Sequence, residues 1–180
     1  MMDNQNSPLD KKIITEDQID LNDENQNLLN DGWTFWYHDP DEVDWSLNSY
    51  QKVFSFNTVE TFWSLHKILK NEMLSSGMFF IMKNQIYPTW EDINNKNGGC
   101  WSFKILKKDA YKIWIQLAIY MISGNISPDI DLINGISISP KKGFCIIKIW
   151  NNDKNKCSIN NICPSIPYIS LEENIYKPFF

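Results

Sequence analysis

Apolar positions set in abruptly after a polar beginning. Residues 1–28 are rich in Asn, Asp and Gln and poor in aromatics. Such a composition cannot bury enough surface to hold a fold, so they read as a disordered tail, with order beginning near Leu28-Leu29. Trp33–Tyr37 reads as a strand by its aromatic run, and His38-Asp39-Pro40-Asp41 breaks it. A polar loop carrying Trp45 leads to a second strand over Gln51–Phe56. Asn57 followed by Glu60 has the form of a capping box, and Val59, Phe62, Trp63, His66 and Leu69 recur at helical spacing. The pattern predicts a helix running from there to about Asn71.

Met78–Met82 is the next strand, Lys83-Asn84-Gln85 its turn, and Pro88–Gly99 a long polar loop of the kind compact domains keep for function. Cys100–Leu106 is a strand. Asp109 is placed to cap a second helix, Ala110–Ile122, which Gly124 ends. Ile113, Leu117 and Tyr120 line one face of that helix, and Ile115 and Ile119 another. A helix on a small sheet buries one stripe, so the excess predicts a second layer or a partner. Ile133–Ser139 and Phe144–Trp150 form a hairpin around Pro140-Lys141-Lys142-Gly143, and Tyr168–Leu171 reads as a last short strand. Hairpins interrupted by two single helices imply an α+β domain, one antiparallel sheet with helices on one face. The expected division is an acidic tail over 1–28 and one folded domain over 29–180.

Composition narrows the function. Positive charge is carried by lysine alone, and the net charge of −5 is uneven. Residues 1–32 hold eight acids and two lysines, which leaves the rest of the chain near neutral. Counterion release alone cannot then drive nucleic-acid binding, which would have to rest on stacking and base-edge contacts. The four cysteines form no CxxC pair and there are two histidines, so no zinc site is expected. The first residues are neither basic nor apolar, and no apolar run approaches the ~20 residues that span a bilayer. A reducing, cytoplasmic setting with free thiols is the expectation.

Three tryptophans carry the candidate chemistry. Trp90 precedes Glu91 in Pro88-Thr89-Trp90-Glu91-Asp92, Trp45 sits in a polar stretch where a core residue is out of place, and Trp150 ends an apolar run. Two indoles can hold a flat heterocycle between them, and an adjacent carboxylate can accept two parallel N–H bonds from a guanine edge. No nucleophile–base pair, metal cluster or Gly-rich phosphate loop points to catalysis.

These residues resemble the eukaryotic translation initiation factor 4E family of messenger RNA cap-binding proteins. The resemblance runs from about Leu29 to Trp150. It rests on Gly32-Trp33-Thr34-Phe35-Trp36, Thr58-Val59-Glu60-Thr61-Phe62-Trp63, Pro88–Asp92, Asn95-Lys96-Asn97-Gly98-Gly99-Cys100-Trp101, and Gly135 followed fifteen residues later by Trp150. It implies a curved antiparallel sheet with helices on its convex face and the cap cleft on the concave one. It also implies that Trp45 and Trp90 stack on 7-methylguanine, that Glu91 accepts its N1 and N2 hydrogens, that the Trp90 backbone N–H serves O6, and that Trp150 touches the methyl group. Trp33, Trp36, Trp101 and Trp114 are assigned to the core.

The phosphate side departs from the family. Lysine (Lys141) stands where an arginine is usual, Ile146 where a lysine is usual, and Cys100 where a further basic residue is usual. Lysine cannot fork onto phosphate as arginine does. Strand alternation puts Lys148 on the same face as Trp150, so Lys148 with Lys141 and Lys142 is the expected replacement. The resemblance further implies that Val59, Glu60 and Trp63, supported by Leu29, Ile115 and Ile119, receive a Tyr-x-x-x-x-Leu-hydrophobic helix from an initiation factor 4G scaffold or a repressor. The protein is expected to be a monomer outside that complex. Two alternatives stay open: a cap-binding repressor of the same fold, and an interaction module that has lost cap affinity. The thirty residues after Trp150 match least, and the cleft is expected to be more open there.

Overall fold

The computed structural model describes residues 26–180; the acidic stretch 1–25 lies outside the described residues. Seven strands form one curved antiparallel sheet: β1 (Leu28–His38), β2 (Gln51–Thr58), β3 (Met78–Lys83), β4 (Gly99–Ile105), β5 (Ile133–Pro140), β6 (Cys145–Asn151) and β7 (Ile175–Pro178). Their order is β2-β1-β3-β5-β6-β4-β7. Three helices, α1 (Val59–Ile68), α2 (Asn71–Ser76) and α3 (Ala110–Ile122), cover one face.

Strand alternation sorts the side chains cleanly. On β1, Trp33, Phe35 and Tyr37 join the helix-side core, with Phe79, Ile81, Trp101, Trp114, Ile136, Ile147 and Ile149 from other elements. The intervening Trp36 faces the opposite, concave side, in a small cluster with Phe80, Met82 and Trp150. Trp33, Trp101 and Trp114 are thus core as expected, and Trp36 is also buried, in the smaller cluster that forms the cleft floor.

Several boundaries and caps differ from the sequence expectation. β1 begins at Leu28, because Leu28 pairs with Thr58 and the Asn27 carbonyl accepts the Val59 N–H. Thr58, not Asn57, caps α1, its hydroxyl accepting the Thr61 N–H at 3.2 Å. The helix expected to reach Asn71 ends at Ile68. Leu69 turns into the core there, and Asn71, starting α2, accepts the Tyr111 N–H at 3.0 Å and donates to the Lys107 carbonyl at 3.1 Å. Asn71 therefore caps α3, a task expected of Asp109, whose own side chain makes no capping bond. The last strand is Ile175–Pro178, not Tyr168–Leu171.

Part of the surplus apolar surface of α3 is covered by the chain itself, while Ile119 stays half-buried at the surface. Ile162 and Ile166 from the segment after β6 are buried in the helix-side core, and Tyr120 Oη donates to the Ser165 carbonyl at 2.9 Å. That segment is the second layer.

His66, on the inner face of α1, adds an acid-sensitive point. It is buried, and its Nδ1–H donates to the Phe62 carbonyl at 2.8 Å. Burial pushes its imidazole down to about 4 despite that hydrogen bond. The unfolded chain takes up this proton near pH 6.5 and the folded chain does not. Stability is therefore level above that pH and falls below it toward pH 4, by up to about 3 kcal/mol. Melting temperatures at pH 7.5 and 5 will show this decline, and His66→Phe will flatten it.

Candidate functional site

Trp45 lies in the β1–β2 loop, 51% exposed yet held from two sides. Its backbone sits in a tight turn in which Asp44 accepts both the Ser46 N–H and the Ser46 hydroxyl, each at 2.8 Å. These two bonds hold the Asp44 carboxyl below its ordinary range. Its indole stacks on the His38 ring, centroids 4.4 Å apart and planes 11° from parallel.

The opposite wall is the loop between β3 and β4, which its own polar groups freeze. Asp92 accepts the Tyr87 N–H at 2.9 Å and the Asn94 N–H at 2.8 Å. Asn95, fully buried, donates to the carbonyls of Tyr87 (2.9 Å) and Thr89 (2.7 Å) and accepts from Asn134 Nδ2 (2.8 Å). Tyr87 packs edge-on against Trp36 of the floor, and Gly98 lies so close to the Asn151 carbonyl that a Cβ would meet it at 1.8 Å. The loop is a rigid bracket. Asn95→Ala takes the donor from the Tyr87 and Thr89 carbonyls and the acceptor from buried Asn134, so it will lower stability by about 1–3 kcal/mol, read by thermal melting, and loosen the bracket.

That bracket presents Trp90 and Glu91. A cavity of about 380 Å³ is lined by Trp45, Ser46, Leu47, Tyr87, Thr89, Glu91 and Asp92. A second, of about 360 Å³, is lined by Glu91, Lys96, Asn97 and Phe180, so Glu91 stands between the two. Trp90 is 52% exposed beside them but does not line the first cavity; its Nε1–H donates to the Glu91 carboxylate. Trp45 and Glu91 thus share a cleft, while the second indole is turned onto the acid.

The floor is aromatic. Trp150 is 6% exposed, with its Nε1–H donating to Ser137 Oγ at 2.9 Å, Phe80 on its edge and Phe179 tilted over it at 4.9 Å. Tyr50 links this floor to His38, and burial, aided by the Glu91 charge, pushes its phenol up to about 12. The C-terminal end closes this side: β7 pairs with β4, and Phe179 N–H donates to the Gly98 carbonyl.

Strand register puts Lys148 on the concave face, level with Ser102 and Ser137 of its neighbours. Lys177 of β7 stands opposite Cys100, itself opposite Trp150. Lys141 and Lys142 are exposed at the β5–β6 turn. None of these four makes an ion pair with a described residue. Sequence reasoning missed His38, Asn95 and Lys177. The signal for Asn95 was its place in a polar loop rich in carbonyls; for Lys177 there was none, because its strand was not recognised.

On the helix face, Leu28, Leu29, Asn30, Val59, Phe62, Trp63, Ile119, Ile122 and Ser123 line a groove of about 330 Å³. Leu29, Val59, Trp63 and Ile119 come together there. Ile115 lies beneath, 8% exposed, and does not line it. Glu60 points to Asn27, accepting its N–H at 2.9 Å and its Nδ2–H at 2.7 Å; this pairing holds its carboxyl below the ordinary range.

The eukaryotic initiation factor 4E family profile matches residues 28–175. Eukaryotic translation initiation factor 4E of Saccharomyces cerevisiae is 32% identical over 134 residues, covering 71% of this chain and 63% of the yeast protein, less than two thirds of its length. The Eremothecium gossypii factor is 28% identical over 160 residues, 85% of this chain and 74% of that protein. Among solved structures, Schistosome eIF4E complexed with m7GpppG and 4E-BP superposes with a TM-score of 0.67 at 25% identity, covering 74% of this chain and 76% of that one. Ascaris suum eIF4E-3 with m7G cap gives 0.66 at 26%, covering 73% and 77%.

Proposed function

The chain belongs to the eukaryotic initiation factor 4E family, and from that premise we propose that it binds the 7-methylguanosine cap of messenger RNA in the concave cleft. The observation that carries this reading is the cavity shared by Trp45 and Glu91, with the Trp90 indole beside it. A methylated guanine is a flat cation. Between two indoles it gains stacking, about 1–3 kcal/mol per base, and cation–π attraction, about 0.5–2 kcal/mol. On entry it displaces the Trp90 Nε1–H from Glu91. The carboxylate then accepts the purine N1 and N2 hydrogens, the Trp90 backbone N–H serves O6, and the freed indole closes over the ring. Trp150, at the floor, meets the methyl group along its narrow exposed edge.

Lys148, Lys141 and Lys142 attract the phosphate chain, with Lys177 standing in at the row where Cys100 offers no charge. Lys148→Ala will narrow the affinity ratio of 7-methyl-GTP to 7-methyl-GMP by about threefold to tenfold, read by calorimetry; an unchanged ratio removes Lys148 from this role.

The helix-side groove takes a helical Tyr-x-x-x-x-Leu-hydrophobic segment of a 4G-type scaffold or binding protein. The role is recruitment in translation initiation, cytoplasmic and without catalysis. The domain responsible is the folded unit over residues 29–180. Retention on a 7-methylguanosine resin, with release by free 7-methyl-GTP but not by GTP, tests the reading; passage through the resin defeats it.

A further inference from the structure

We infer that His38 is a positioning residue of this site: it backs the Trp45 indole and holds one face of it occupied, so that only the other face is open to a ligand ring. The inference rests on the cap-binding reading and goes beyond it to the device that sets the plate.

Three observations carry it. The His38 ring is fully buried yet lies directly against a half-exposed side chain, 4.4 Å from the Trp45 ring at 11°. Its Nε2 lies 3.1 Å from the Asp44 carbonyl. A carbonyl only accepts, so Nε2 carries the proton, and the same histidine grips both the indole and the backbone one residue before it. Its Nδ1 is buried without a partner among the described residues. A phenylalanine would fill the slot without an unpaired nitrogen, which carries a cost. What histidine adds is the grip on Asp44. Tyr50 also lies against the ring, tilted at 4.6 Å, and Phe80 meets Tyr50 at 5.5 Å. An aromatic chain therefore runs from Trp45 through His38, Tyr50 and Phe80 to Trp150.

The functional consequence is preorganisation. An exposed indole on a loop loses rotamer freedom when it clamps a ligand, which weakens binding. Trp45 is stacked before the ligand arrives, so that loss is already met. Trp90 has no such backing ring among the described residues.

The test titrates the full chain with 7-methyl-GTP by intrinsic fluorescence. His38→Leu keeps a filled slot but no stack, and is expected to bind about fivefold to tenfold more weakly, in line with aromatic pair energies. His38→Phe restores the stack and is expected within about twofold of the unsubstituted chain. Both variants should keep the melting transition and the affinity of the opposite groove for a Tyr-x-x-x-x-Leu-hydrophobic peptide. Wild-type affinity in His38→Leu, equal loss in His38→Phe, or loss of the melting transition in His38→Leu each overturns the inference. If the unsubstituted chain fails to bind 7-methyl-GTP, the cap-binding reading itself falls, a result distinct from these three.

Discussion

Glu91→Ala is expected to weaken 7-methyl-GTP binding by at least about a hundredfold while leaving the fold intact. The size follows from the chemistry. Two charge-assisted hydrogen bonds to the purine edge contribute about 1.5–3 kcal/mol each, and every 1.4 kcal/mol is about tenfold in affinity. Removing the carboxylate also withdraws the negative charge that faces a cationic ring. Fold integrity follows from the loop. Glu91 is exposed and its one described hydrogen bond is from Trp90 Nε1–H, whereas Asp92 and Asn95 hold the bracket. Glu91→Gln should be nearly as damaging, because an amide presents one acceptor and no charge. Calorimetry on the purified variants, with a melting curve beside it, checks both halves. An affinity within a few fold of the parent would show that the guanine edge is read elsewhere.

Trp63→Ala carries the second large effect, on the other side of the molecule. Trp63 is 43% exposed at the rim of the groove formed by Leu28, Leu29, Val59, Phe62, Ile119 and Ile122, with its ring edge-on to Phe62 at 5.4 Å. A large aromatic in such a place is the residue type whose truncation costs most at interfaces, about 2–4 kcal/mol. Binding of a Tyr-x-x-x-x-Leu-hydrophobic peptide should fall by about thirtyfold or more. Cap affinity should stay within about twofold, since the sheet separates the two faces and Trp63 contributes nothing to the cleft. Loss of both activities would mean that the residue holds the fold instead.

The legible and illegible parts of this chain differ in physical kind. β1 could be read because five successive residues with aromatic or β-branched side chains suit a central strand buried on both faces, which is what Trp33 to Tyr37 form. The face of Lys148 could be read because strand parity is rigid. The Trp45 and Trp90 positions stood out as indoles in polar surroundings. What could not be read depends on contacts between distant segments. Asn71 starts one helix and caps another because Tyr111 and Lys107 arrive there. β7 is a four-residue edge strand whose pairing with β4 no local pattern announces. Asn95 becomes a hub only once Tyr87, Thr89 and Asn134 surround it. His38 looked like a strand terminator, and its role appears only when the chain returns seven residues later with Trp45. The surplus apolar face of α3 signalled that something covers it. Only coordinates could say that part of the cover comes from the same chain, from Ile162 and Ile166, and that Ile119 is left lining a groove.

The central claim is that one cleft distinguishes a positively charged purine from its neutral counterpart. Titration of the chain's tryptophan fluorescence with 7-methyl-GTP and, separately, with GTP measures this directly. Quenching with at least about a hundredfold tighter binding of the methylated nucleotide, abolished in Glu91→Ala, is the predicted result. Equal affinity for the two nucleotides, or no quenching by either, would contradict it.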